Sequence, residues 1–378
     1  MELLNVINTI SVILTLVYLV VVFGFIRGWG KLISFKPAGI KARTMVSVII
    51  AARNEAGGIK RTIECLLAQD YDPALTELIF IDDHSTDHTA EVVLSYASRG
   101  VKLISLKADA ATNSYKKKAI QTAIGQASGT LIITTDADCR MGSRWLSTVV
   151  ACYEEKGYKM ISSPVVYDEE RSFFERAQSL EFLYLIGLGA STIGNQKPST
   201  CNGANLAYEK EAFYAVGGFQ GIDDLASGDD ELLLHKMAAA DDSSIGFLKN
   251  KDAIVYTHAK PNLREFLQQR KRWASKSTRY KNKSIIVLGV FVWLFNLSIL
   301  INLITALFMP EFWPVLVCQL LLKIGIEYYF LRSVTAFAGR TSLLKLLPVL
   351  NLFHILYIIY IGIAGNSGKY EWKSRIVR

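Results

Sequence analysis

The decapeptide LIITTDADCR (131–140) sets two carboxylates, Asp136 and Asp138, one residue apart at the end of an apolar, β-branched run. In an extended chain, positions i and i+2 share a face, so the two acids converge. Like charges that close raise each other's pKa unless a cation or hydrogen bonds hold them ionised. Two oxygen donors so placed suit a hard divalent ion, Mg²⁺ or Mn²⁺; the alternative is a strand-end cap or a solvated turn. Asp82 and Asp83, in IDDHSTDHT, end another apolar run, placed to accept hydrogen bonds from a base or a sugar hydroxyl. Turn chemistry alone also favours Asp, Ser and Thr there. Asp229 and Asp230, in ASGDDELLLHKM, open an apolar helical run, where the helix dipole favours carboxylates whatever their function. Lys116, Lys117 and Lys118 lead into a helix whose start offers a diphosphate both cations and backbone N–H groups, or else form a solvated face. In REFLQQRKRWASK, Gln269 and Arg272 share a helical face. Trp273 beside them offers a platform for a sugar ring, or an anchor at a membrane interface.

The elements that must position these groups alternate. Apolar runs at VSVIIAARN (46–54), ELIFIDDHS (77–85), VKLISLK (101–107) and TLIITTDAD (130–138) are separated by helical stretches: GGIKRTIECLLAQ, a segment through Val92 and Val93, and YKKKAIQTAIGQA. This spacing predicts an α/β fold with a mostly parallel sheet covered on both faces. Ligands of such sheets sit beyond the carboxyl ends of the strands. Here those ends read RNE, DDHS and TDAD.

Composition places this domain at a membrane. Hydrophobic residues make up 51% of the 378, and the mean hydropathy is +0.26. Residues 3–26 and 284–309 carry no charge, and each exceeds the ~20 residues a helix needs to cross a bilayer. Further apolar runs lie at about 312–331 and 346–365. The third contains Lys323 and Glu327, four apart on one face and able to pair. The first run lacks the basic leader and small-residue cleavage site of a signal peptide. The expected organisation is an anchor at 1–27, a domain at 46–276, two to three spans within 284–365, and a basic tail at 366–378. RGWGKLISFKPAGIKAR after the first run has five basic residues, RKRWASKSTRYKNK before the second has seven, and neither has an acid. The positive-inside rule then puts the domain in the cytoplasm. With the amino terminus outside, four full spans would leave the basic tail outside as well. Either one late segment fails to span, with Pro348 splitting the last, or the tail breaks the rule. The net charge of +8 is mostly membrane-flanking and calls for no nucleic acid. The five cysteines show no paired spacing, so reduced thiols are expected, without disulfides or zinc.

Taken in order, VSVIIAARNE, IDDHSTDHT, KKKAI, TTDADC, CNGANLAYEKEAFYAVGGF, GDDE and QRKRW resemble the membrane-bound family-2 glycosyltransferases, cellulose-synthase-like and glucosylceramide-synthase-like enzymes with the GT-A fold. The resemblance implies a nucleotide-sugar donor, with UDP as the nucleotide. Glu55, Asp82 and Asp83 would face the nucleoside, and Lys117 and Asp136 would lie on the donor. Asp136 and Asp138 would be the D-x-D that holds a divalent metal, and Asp230 the general base, last residue of a T-E-D that here reads Gly228-Asp229-Asp230. Gln269 and Arg272, of Q-x-x-R-W, would lie near the diphosphate. Asn202, Asn205, Asp229 and Trp273 would lie near the acceptor. Three or four spans make a poor polymer channel, so a single transfer to a lipid or glycan acceptor at a bacterial inner membrane is expected. The run SFFERAQSLEFLYLIGLGA (172–190) would lie in the interface and help admit it. A processive synthase, as an oligomer or with a partner subunit, is the rival enzyme; an inactive membrane scaffold is the rival of another class.

Overall fold

The computed structural model describes residues 2–39, 42–106, 114–365, 370–372 and 375–377. They form two compact units: residues 31–170 and 192–259 with the tail, and residues 1–30, 171–191 and 260–368.

The chain begins as a long helix, α1 (Glu2–Lys31), of the second unit. The first unit is built on β1 (Val46–Ala52), α2 (Ile59–Leu67), β2 (Thr76–Asp82), α3 (Thr89–Leu94), β3 (Val101–Ser105), α4 (Tyr115–Gln126) and β4 (Leu131–Thr134). Ile59, Ile63 and Leu66 of α2 are buried while Lys60 and Arg61 face out, the period expected of a helix lying on a sheet. Strands β1 to β4 pair parallel in the order β3-β2-β1-β4. The residues of β4 are all buried, as in a strand covered on both faces. Gly129, just before β4, is required by close approach: a Cβ there would stand 2.4 Å from the Ser47 nitrogen.

Later strands are shorter. After β5 (Arg140–Met141) and α5 (Trp145–Lys156) come β6 (Met160–Ser162), β7 (Val165–Tyr167), and the long α6 (Phe173–Gly194). Then follow β8 (Leu206–Glu209), α7 (Lys210–Ala215), α8 (Glu231–Ala240), β9 (Ile245–Phe247) and β10 (Val255–Thr257). Strand β8 pairs antiparallel with both β4 and β6, extending the main sheet to β3-β2-β1-β4-β8-β6-β9. A second sheet has the order β5-β10-β7. The strand–helix alternation ends at β4, and the reversed β8 makes the sheet mostly, not entirely, parallel, as expected.

The second unit combines α1 with α6 up to Ser191, α9 (Leu263–Ser275), α10 (Lys283–Phe308), α11 (Trp313–Phe337) and α12 (Leu347–Ala364). Four helices among the described residues are long and apolar enough to cross a membrane: 6–31, 283–308, 310–337 and 341–364. Val20, Phe23, Leu307 and Phe308 are 61–82% exposed, an apolar surface that lipid rather than water solvates. Three of these four helices fall in the region of 284–365. Pro348 sits in the first turn of α12, where its missing N–H costs nothing, and does not split the segment. Lys323 and Glu327 do pair, at 2.8 Å, and Asn351 of α12 donates to Glu327 at 2.9 Å. Tyr18 of α1 donates to the same carboxylate. Asn302 bridges Ser11 (3.0 Å) and Gln319 (2.9 Å). Residues 178–183 of α6 are all buried, so this helix is not the two-faced surface element its sequence suggested.

Candidate active site

The parallel register aligns Ala52 of β1 with Asp82 of β2, so the loops that leave these strands start side by side. They are laced together. Arg53 donates through Nη1 to the carbonyls of Asp83 (2.7 Å) and His84 (2.9 Å). The Asn54 N–H donates to Ser85 Oγ at 3.0 Å, and the Thr86 N–H to Asn54 Oδ1 at 2.8 Å. The Glu55 N–H donates to Thr89 Oγ1 at 2.8 Å, leaving the half-buried Glu55 at the loop's turn into α2. Asn54 and His84 hold φ of 53° and 55°, a conformation that costs non-glycine residues about 1–3 kcal/mol and gathers at functional sites. Asp82 and Asp83 are 8% and 2% exposed. Asp82 accepts from the Ser85 N–H at 3.3 Å, and Asp83 contacts His84 Nδ1 at 3.0 Å.

Strand β4 ends at Thr134, before the D-x-D. Asp136 and Asp138 therefore converge for a different reason from strand alternation: they lie on a turn closed by the Cys139 N–H on the Asp136 carbonyl at 3.2 Å. Buried Thr62 of α2 supports this turn, its hydroxyl lying 2.7 Å from the Ala137 carbonyl and 2.8 Å from that of Cys139. Oxygens of Asp136 and Asp138 and the Cys139 sulfur come within 4.8 Å of one another. Burial, with Asp138 and Asp136 adding to it, pushes the Cys139 thiol well above its usual range. It stays an S–H group directed at Asp138, at 3.8 Å. The donors available to a metal are the two carboxylates, a set that fits a hard cation and not a thiophilic one.

Lys116, in the first turn of α4, stands against these acids, 2.9 Å from Asp136 and 3.1 Å from Asp229. Burial opposes its charge, but Asp136, Asp229 and Asp230 together outweigh that and raise its pKa. Asp230 caps α8, accepting from the Glu231 N–H at 2.6 Å through Oδ1 and from the Gly203 N–H at 3.0 Å through Oδ2. The approach at Gly203 is close: a Cβ there would meet Asp229 Oδ2 and Asp230 Cβ at 3.3 Å, so these neighbours would have to yield by a few tenths of an ångström. The structure thus brings Asp136, Asp138, Asp229 and Asp230 together around Lys116, with the half-buried Asn202 beside Gly203.

Two residues expected at the site have other places. Lys117 is 1% exposed and donates to the carbonyls of Leu225 (2.7 Å) and Ser227 (2.6 Å), holding the loop that leads to Asp229. Asn205 is 1% exposed, accepts from Trp145 Nε1 at 3.0 Å and donates to the carbonyls of Pro164 and Ala253 at 2.8 Å each. Its amide is occupied in tying the interior together, which corrects its assignment to an acceptor. In the other unit, Gln269, Arg272 and Trp273 lie on α9. Gln269 Oε1 accepts from Arg270 at 2.8 Å, and Trp273 packs on Phe182 with ring centroids 6.0 Å apart. Sequence reasoning missed Arg270, Glu181 and Thr62. Only a charged or polar residue falling on the buried side of a helix could have flagged them.

A mostly parallel sheet with acids on the turn after a central strand is the GT-A fold, and a solved structure agrees. A mannosyltransferase from Pyrobaculum calidifontis, determined with GDP-mannose and Mn²⁺, superposes with a TM-score of 0.54 at 19% identity, covering 93% of this chain and 99% of that one. Residues 47–217 match the model of glycosyl transferase family 2, and the chain carries a domain of that family. It is 29% identical over 122 residues to glycosyltransferase AglE of Haloferax volcanii, covering 32% of this chain and 40% of that protein. It is 28% identical over 137 residues to a beta-monoglucosyldiacylglycerol synthase of Nostoc sp., covering 36% of this chain and 29% of the synthase. The matched region is thus less than half the length of either relative.

Proposed function

We propose that the chain is an inverting glycosyltransferase that moves a sugar from a nucleotide-diphospho-sugar, a UDP-sugar by family resemblance, to a lipid acceptor at the membrane surface. The observation that carries this reading is the cluster of Asp136, Asp138, Asp229 and Asp230 around Lys116, within a family-2 domain flanked by apolar helices. The lipid product named for the Nostoc relative supports the acceptor class. The GDP-mannose and Mn²⁺ of the Pyrobaculum structure support the donor class and the ion.

Asp230 takes the proton of the attacking acceptor hydroxyl as general base. Its backbone hydrogen bonds from Gly203 and Glu231 fix the carboxylate's orientation. Asn202 and Asp229 orient the acceptor beside it. Glu55, Asp82 and Asp83 bind the nucleoside. Lys116 offers its ammonium to the diphosphate as the glycosidic bond breaks. Asp136 and Asp138 would hold Mg²⁺ or Mn²⁺, which when bound stabilises negative charge on the leaving group. One displacement inverts the anomeric centre, so an α-linked donor yields a β-glycoside. The basic segments at 27–43 and 270–283 favour a cytoplasmic face for the domain.

The test is sugar transfer by the purified chain from UDP- and GDP-sugars to lipid extract, with Mn²⁺, Mg²⁺ or EDTA, alongside Asp138→Ala. Metal-dependent, Asp138-dependent labelling of lipid is the expected result. Insoluble polymer would replace the single-transfer reading with a processive one. Nucleotide binding without turnover of any donor would favour a scaffold.

A further inference from the structure

We propose that Arg270, held by Glu181, is a positioning residue that sets the orientation of Gln269 and Trp273; this rests on the transferase reading above. Arg270 and Glu181 are 2% and 6% exposed. The guanidinium and carboxylate meet fork to fork: Nε donates to Glu181 Oε1 at 3.2 Å, and Nη2 donates to Oε2. The remaining edge of the guanidinium is spent within α9 itself, Nη1 donating to Gln269 Oε1 at 2.8 Å. Its face lies 4.2 Å from the Trp273 ring centroid and 4.6 Å from that of Phe266. Phe182, next to Glu181 on α6, packs on Trp273. One side chain therefore touches two of the three residues named in the motif, and α6 holds it in place.

The consequence for chemistry follows from the donor and acceptor inventory. With its carbonyl oxygen engaged by Arg270, Gln269 presents its NH₂ end, which only donates. That is the polarity required to meet a diphosphate oxygen. Were Gln269 free to flip, half of its orientations would offer an acceptor to an anion. Trp273, packed against Arg270 and Phe182, keeps one ring orientation. Lysine cannot replace the arginine, because an ammonium has no rigid fork with which to serve Glu181 and Gln269 from opposite edges.

The experiment is a double-mutant cycle on the full chain in detergent, using Arg270→Lys, Gln269→Ala and the double variant, with kcat, donor KM and melting temperature measured for each. Arg270→Lys should fold and lose about 10- to 100-fold in kcat/KM, the scale of a misplaced contact. The double variant should lose less than the product of the two single losses, because the part of the Arg270→Lys loss that runs through Gln269 is already gone and only the part through Trp273 remains. If Arg270→Lys does not fold, Glu181→Gln, which keeps an acceptor for Nε, takes its place in the cycle. Losses that multiply in the double variant overturn the proposal, as does a lowered melting temperature with wild-type kinetics in the folded protein. A wild-type chain that transfers no sugar overturns the transferase reading itself, a different outcome from an active wild type with indifferent variants.

Discussion

Asp230→Asn separates the chemical role of this side chain from its role as a cap. Asparagine caps helices about as well as aspartate. Yet Asp230 uses both oxygens, one for the Glu231 N–H and one for the Gly203 N–H. The amide has one oxygen, so one of these N–H groups would face an NH₂ instead. Gly203 is buried, and leaving such a donor unpaired costs about 1–3 kcal/mol. At about 2–4 °C per kcal/mol for a domain of this size, the melting temperature should fall by about 2–12 °C. Loss of the general base should lower kcat by about 10²–10⁴-fold, a barrier increase of about 2.7–5.4 kcal/mol. The assay is single-turnover transfer beside a thermal melt of the same sample. Asp229→Asn, which loosens the contact with Lys116, should instead act mainly on KM. If Asp229→Asn abolishes kcat while Asp230→Asn stays within a few-fold of wild type, the base has been assigned to the wrong carboxylate.

Lys116→Met should raise the dissociation constant for nucleoside diphosphate by about 10-fold or more, the worth of a hydrogen bond to a charged group, as read by calorimetry. Thr62→Val keeps the shape of the side chain but removes the proton shared by the Ala137 and Cys139 carbonyls. It should weaken Mn²⁺ binding about 5-fold, from the loss of about 1 kcal/mol of turn support, measured by titration of the Mn²⁺ electron-paramagnetic signal. Glu169 is held at a pKa of about 2, first by its hydrogen bond to Arg61. A depressed carboxylate stabilises above its unfolded pKa, and that contribution is lost as pH falls from about 4.5 toward 2. The melting temperatures of wild type and Arg61→Ala should therefore converge across that interval.

Strands β1 and β2 were legible because they run seven residues each and are buried almost throughout, so burial writes itself as continuous apolar runs. The short β4 is buried at every position, while β3, at the edge, is partly exposed. Strands β6, β8 and β9 have three or four residues each. Nothing in LAYE says that it runs against β4; that direction is fixed by pairing with residues far along the chain. Asp136 and Asp138 were identifiable by type and spacing, but the reason they meet is a turn, because β4 ends two residues before the first of them. The lysine run pointed to the right helix and left open which lysine faces the acids. Neighbouring residues on a helix point about 100° apart, and only packing selects Lys116 for the acids while Lys117 takes the loop carbonyls. Asn205 shows the same limit. Its motif suggested an acceptor contact, whereas its amide is consumed by Trp145, Pro164 and Ala253.

The hydrogen bond from Tyr18 to Glu327 joins residues 309 positions apart, and this has a consequence for biogenesis. At about 5–20 residues per second, roughly 15–60 s separate synthesis of α1 from that of its partner. During that interval α1 waits for the partners that Ser11 and Tyr18 find in the finished fold, while the sheet-bearing unit is made. Lys323 and Glu327 reach the membrane together on one helix and can enter as a neutralised pair. Asn351 follows only with α12. Assembly of the bundle is thus a late event that gathers the first helix onto the last two, and nascent chains stalled before residue 327 should leave α1 unlatched and open to quality-control proteases.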